Sequence, residues 1–347
     1  MHLTTLWFIL LTVLWVGFFV LEGFDLGVGM LHAVVGKTDT EKRVAINTVG
    51  PWWDGNEVWL IVAGAGTFAA FPGWYATMFE SLYLALLLIL VALIARGVAF
   101  EFRSKLPDEK WRKVWSLALS IGSLLIPLLV GAGLGDLLAG LPVNSQHHYT
   151  GNFLDVLKPY GLLTGITLTV LCLFHGAVFL RMRTTGPITE RAKALAGPLG
   201  IASIVLVVAF VIATRVVVGK TAVPEPLQIL AILAMIFAAR LAVTDSVGWA
   251  FTSTAIAIAA TVGSLFVDLY PHVLISSTSS AYSLTVVGSA SGGYTLTVMS
   301  IVTAIFLPVV LAYQAWSFWV LRQRIIAPVE GSAPAAASAG PAAPAAG

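Results

Sequence analysis

The chain has 347 residues, 58% of them hydrophobic and only 10% charged, with a formal charge of +2 and a mean hydropathy of +0.92. These values describe an all-α polytopic membrane protein, not a soluble domain with a large core. The single cysteine, Cys172, excludes intrachain disulfides, iron–sulfur clusters and cysteine-based zinc sites. No phosphate-binding loop, dinucleotide fingerprint, HExxH motif or basic nucleic-acid patch is present.

In chain order, apolar runs about 20 residues long predict nine transmembrane helices. They cover 5–31, 52–71, 75–95, 115–138, 157–180, 196–218, 226–239, 248–270 and 294–321. The start, MHLTTLWFILL, lacks a positive n-region and reads as the first retained span. Basic residues separate cleanly between alternate connections. One side holds Lys37, Lys42 and Arg43, then the third loop from Arg96 to Lys113, then Arg181 to Lys193, Arg240, Arg322 and Arg324. The other holds only Lys158, Arg215 and Lys220. The basic side is cytoplasmic by the positive-inside rule, so the N-terminus lies outside and the C-terminus in the cytoplasm. Residues 1–325 thus form one membrane domain. The remainder, 326–347, is a Pro/Ala-rich stretch with no apolar face and is expected to be disordered.

The second span opens with a polar segment, GPWWDGNEVWL (50–60). Asp54 and Glu57 are three residues apart and share a helix face, with Asn56 beside them and Trp53 next to Asp54. No Lys or Arg stands between Arg43 and Arg96 to neutralise them. Glu22 and Asp25 share a face in the inner half of the first span, and Glu101 sits at or just beyond the inner end of the third. These five carboxyls gather towards the cytoplasmic half of three spans, with only loop cations such as Arg103 and Lys105 expected nearby. Carboxyls inside a membrane are costly and read first as proton-handling groups; the bland alternative is hydrogen bonding to backbone or pairing across helices. Asp54 alone also suits a favourable charge at a helix start. Asp136 and Asp268 fall at outer span ends, where solvation is expected to suffice.

Gly23-x-x-x-Gly27 is a small-xxx-small pattern, read first as intrachain helix packing. Only His175 lies well inside a span, with His32 at a helix end, so paired axial histidines for a haem are missing. No catalytic or metal-ligating residue is assigned to this chain.

Several long segments occur together in one order: EGFDLGVGML (22–31), the 36–72 stretch containing PWWDGNEVWL, FEFRSK (100–105), TGNF (150–153), SSTSSAYSLTV (276–286) and TLTVM (295–299). They resemble subunit II of cytochrome bd-type quinol oxidases over about the first 325 residues. The resemblance implies nine helices in two four-helix bundles plus a final helix. It implies a haem-bearing subunit I as partner, with two b-type haems and one d-type haem held there, and further small membrane subunits in some complexes. The complex would sit in the bacterial plasma membrane, draw on the quinone pool and reduce oxygen to water. Part of its cytoplasmic proton path would run through subunit II. On that resemblance Asp54 and Glu101 are the first proton-entry groups, Asp25 and Glu22 follow, and Trp53 and Asn56 shape the site. Glu22 and Glu101 stand where some members carry Asp. Some members also hold a structural quinone in an apolar groove, for which the sequence assigns no residues. The competing reading is a proton-coupled secondary transporter acting alone; a third is a purely structural assembly subunit.

Overall fold

The structure, a computed structural model, describes residues 2–219 and 223–326. The expected tail therefore lies outside the described residues from 327 onwards. The described chain is almost wholly helical: α1 (Leu3–Val35), α2 (Asp39–Asn47), α3 (Trp53–Ala70), α4 (Pro72–Ser81), α5 (Tyr83–Phe102) and α6 (Glu109–Ala139) make the first half. Helices α7 (Pro159–Arg183), α8 (Pro187–Val218), α9 (Pro226–Ala242), α10 (Val247–Leu269) and α11 (Gly293–Val320) make the second. Seven helices, α1, α5, α6, α7, α8, α10 and α11, are long and apolar enough to cross a membrane. The other two expected spans fall on α3 and α9, which are 18 and 17 residues long. The chain is a polytopic membrane protein.

Two departures from the sequence reading matter for the site. The third expected span, 75–95, is divided: α4 stops at Ser81, whose hydroxyl donates back to the Thr77 carbonyl, and α5 starts two residues later. Helix α5 then runs seven residues past the expected end, to Phe102. Arg96, placed in a loop by its charge, is thus inside a helix. The first connection also contains α2, started by a capping box in which Thr38 accepts from the Glu41 amide and Glu41 accepts from the Thr38 amide. Glu41 further binds Arg191 at 2.7 Å, which ties α2 to the start of α8. That contact, above all, holds the Glu41 carboxyl below its usual range.

Helix α1 is central. Its glycines let α7 come to backbone contact: a Cβ on Gly27 would stand 2.0 Å from the Cys172 carbonyl, and one on Gly23 would stand 3.3 Å from the Cys172 sulfur. The Gly23/Gly27 pattern thus lies where α1 meets α7 within the chain. At the far end, the connections after α6 and α10 dock on each other: the Leu141 amide donates to the Ile275 carbonyl at 2.9 Å, and the Leu141 carbonyl accepts from the Ser277 amide at 2.9 Å. Helix α11 stands apart, with Leu296 its only buried residue.

Candidate functional site

Glu22 and Asp25 are fully buried on one face of α1. Across from them stands Arg96 of α5, also with no exposed surface. Its Nη2 lies 2.7 Å from Glu22 Oε1 and its Nη1 donates to Glu57 Oε2 at 3.1 Å. The guanidinium also lies over the Phe100 ring, 5.1 Å from its centroid. Gly122 of α6 permits this: a Cβ there would stand 2.7 Å from the Ala92 carbonyl and 3.0 Å from Arg96 Cβ.

This corrects the reading of an uncompensated carboxyl cluster. Glu22 and Glu57 share a buried cation that belongs to the membrane helix itself, and Arg103 and Lys105 are not their partners. Arg103 instead binds Asp39 at 2.6 Å and the Ser116 hydroxyl at 2.8 Å. A buried ion pair of this kind is held less by Coulomb gain than by the cost of leaving either partner alone.

Asn56 completes the cluster. Its Nδ2 donates to Asp25 Oδ2 at 2.7 Å and to the Leu21 carbonyl at 3.0 Å, while its Oδ1 accepts from Gln314 Nε2 of α11 at 2.9 Å. A single amide therefore binds α1, α3 and α11. Phe318 reinforces the junction by stacking on Trp52 at 5.4 Å.

Asp54 is exposed in the first turn of α3 and makes no capping hydrogen bond there; the N-cap residue is Trp52, whose side chain caps nothing. Glu101 is exposed at the end of α5. The structure joins neither to the buried cluster by a direct contact. It does bring their helix ends together: Trp53 stacks on Phe100, ring centroids 4.8 Å apart, so the residues that follow each ring in sequence mark neighbouring ends of α3 and α5. Of the sequence-selected residues, Glu22, Asp25, Asn56 and Glu57 meet in one cluster, and Trp53 borders it. Arg96 and Gln314 were missed. For Gln314 the available signal was a lone amide in an apolar span; for Arg96 it was a cation one position past an assigned span end.

The outer carboxyls are also corrected. Asp268 is buried, accepts from Gln228 Nε2 at 2.9 Å and pairs with Arg215. Asp136 is buried and accepts no hydrogen bond among the described residues. Lys158 gives its ammonium to the Gly140 carbonyl. Helix α7 supplies the room for Asp136 through Gly161, where a Cβ would stand 2.3 Å from Asp136 Oδ1.

Neither buried histidine is presented as a ligand. His175 Nε2 meets the Val20 carbonyl at 3.2 Å, which makes it the protonated nitrogen, and Nδ1 faces the Thr254 hydroxyl at 2.6 Å. His32 Nδ1 donates to the Gly29 carbonyl at 2.7 Å. Among the described residues no three His, Cys, Asp or Glu side chains form a group able to hold a metal ion.

Residues 3–321 match the model of the family described as cytochrome bd terminal oxidase subunit II. The chain is 42% identical over 324 residues to the cytochrome bd ubiquinol oxidase subunit 2 of Bacillus subtilis, covering 92% of this chain and 96% of that one. It is 34% identical over 363 residues to the cytochrome bd-I ubiquinol oxidase subunit 2 of Escherichia coli K12, covering 92% and 94%. Its fold is similar to a chain in the structure of bd oxidase from Geobacillus thermodenitrificans, with a TM-score of 0.72 at 17% identity over 92% of this chain and 99% of that one. With a matching model spanning nearly the whole described helical region, the chain belongs to the cytochrome bd terminal oxidase subunit II family and is a multi-pass protein of the bacterial plasma membrane.

Proposed function

We propose that this chain is the haem-free subunit of a bd-type quinol:oxygen oxidoreductase and supplies part of the cytoplasmic proton path. Membership of the family makes it a component of an oxidase complex with a subunit I partner; the transporter acting alone is not carried forward. Helices α3 and α9 complete nine spans, in two four-helix bundles with α11 as the last helix, N-terminus outside. The haems, two of b type and one of d type, belong to the partner. When bound there, they supply the electron transfer and oxygen chemistry.

The observation that supports the proton path is the placement of Asp54 and Glu101 at adjoining exposed helix ends, with Glu57 one turn after Asp54 and sharing Arg96 with the buried Glu22. Asp54 and Glu101 collect protons at the adjoining ends of α3 and α5. Glu57, half-buried one turn after Asp54, takes them inward to the face shared by Glu22 and Asp25. Arg96 holds Glu57 and Glu22 in line and offsets their charge, and Asn56 orients Asp25. Protons consumed from the cytoplasm, with quinol protons released outside, would build the proton motive force without a pumping element.

An apolar groove of about 460 Å³ between α1, α3, α4, α5 and α6, walled by Trp15, Phe68, Tyr75, Phe79 and Leu134, is our choice for a structural quinone. Its lining suits an isoprenoid chain better than a reacting headgroup.

The experiment is oxygen consumption with quinol by the purified complex carrying Asp54→Asn, with haem spectra on the same sample. A sharp fall with all haems retained supports proton entry at Asp54. Loss of the haems would assign the residue to assembly, and unchanged turnover would move the path elsewhere.

A further inference from the structure

On the basic side of the molecule, the connection from α1 to α2 and the turn from α5 to α6 enclose a cavity of about 450 Å³. Five cations line it: Lys37, Lys42, Arg103, Arg112 and Lys113. Only two carboxyls face them. Asp39 is shared between Arg103 at 2.6 Å and Arg112 at 2.9 Å, and Glu109 is held by Lys113 at 2.7 Å. The lining therefore carries a surplus of positive charge around a space large enough for a small anion.

Arg103 adds a second, independent observation. It is 3% exposed, and its Nη1 is a buried donor with no partner among the described residues, although Nε and Nη2 are both engaged. A buried guanidinium N–H without an acceptor costs free energy, and an anionic oxygen would remove that cost. Ser116 and Ser120 bring hydroxyls to the same wall.

The cavity is not closed by polar groups alone. Ala33 and Leu117 line it, and beyond Leu117 the exposed side chains of Ile121 and Leu124 continue along α6, one helical turn after another. A charged recess that opens onto an exposed apolar stripe matches a molecule with an anionic head and apolar tails. Basic recesses between helices at the cytoplasmic surface suit such headgroups.

We infer that this recess binds the phosphate headgroup of an anionic phospholipid, with its acyl chains lying along the Leu117–Ile121–Leu124 stripe of α6. The phosphodiester oxygens meet Arg103 and Arg112, and Lys42 and Lys113 supply the charge that distinguishes an anionic from a zwitterionic lipid. The site lies apart from the carboxyl cluster and does not depend on the proton path.

The test is native mass spectrometry of the delipidated complex, purified with its partner subunit and titrated with phosphatidylglycerol or phosphatidylcholine. Lys42→Gln/Lys113→Gln removes two cations of the recess without touching the Asp39 pairs. Arg43→Gln/Lys105→Gln removes two exposed cations that do not line it. The expected result is a phosphatidylglycerol adduct that the recess variant weakens by about tenfold, that the control variant retains, and that phosphatidylcholine does not reproduce. Equal loss in both variants, or equal retention of the two lipids, would overturn the proposal. Binding of inorganic phosphate that depends on Lys42 and Lys113, with no lipid difference, would assign the recess to a free anion and overturn the lipid occupant.

Discussion

Arg96 Nη2 and Glu22 Oε1 stand 2.7 Å apart with neither side chain exposed, and the same guanidinium reaches Glu57. Removing the cation leaves two carboxyls facing each other inside a helix bundle. Arg96→Leu should therefore destabilise the protein by about 3–5 kcal/mol, seen as loss of assembled complex from the membrane. Arg96→Lys, a point charge in place of a fork, should rescue only part of that loss. Full assembly of Arg96→Leu would mean that the pair is not an internal anchor.

Asn56 serves three helices through one amide. Asn56→Leu leaves Asp25 Oδ2 and Gln314 Nε2 without partners, each at a cost of about 1–3 kcal/mol if it stays buried. The expected readout is a lower thermal midpoint of the purified complex. Gln314→Leu should reproduce the smaller part of the shift, because Asn56 keeps its bonds to α1. Equal midpoints for all three proteins would show that α11 is held by apolar packing alone.

Close approach of α1 and α7 rests on Gly27. In Gly27→Val the added Cβ would stand 2.0 Å from the Cys172 carbonyl, a backbone atom that cannot swing away. Yield of folded protein should collapse. Gly248→Ala, where nothing lies within 4 Å, is the matched control and should leave yield unchanged.

The rim of the basic recess carries a pH signature. Burial works against ionisation of Asp39, but hydrogen bonds and charge from Arg103 and Arg112 outweigh it and hold the carboxyl below its usual value. A carboxyl lowered on folding contributes stability above its unfolded value and loses it as pH falls through the folded one. The stability difference between wild type and Asp39→Asn should thus persist at neutral pH and shrink below about pH 4. A difference that grows on acidification would contradict the pairing.

Much of this was legible in the sequence, and the parts that were not have physical reasons. The apolar runs announced the helices, and the i,i+3 spacing of Glu22 with Asp25 and of Asp54 with Glu57 placed each pair on one face. What pattern could not supply was the partner across the bundle. Hydropathy ends a span at its first cation, so Arg96 was counted with the loop, whereas α5 continues through it because two carboxyls receive the charge. The same logic hid Asp136 and Asp268: a carboxyl near a span end reads as solvated, yet Arg215, Gln228 and the space left by Gly161 allow both to be buried. In the sequence Asn56 is only a neighbour of Asp54, and its role in joining α1 to α11 depends on contacts 31 and 258 residues away.

If protons pass through the cluster around Asp25, Asp25→Asn removes the group that carries them. An amide at this position keeps an oxygen for Asn56 Nδ2 to donate to, so the junction can persist while the titratable proton is lost. Quinol-driven oxygen consumption should fall at least about tenfold, with the haem spectrum and the ratio of the two subunits unchanged. Wild-type turnover in that intact complex would contradict the account.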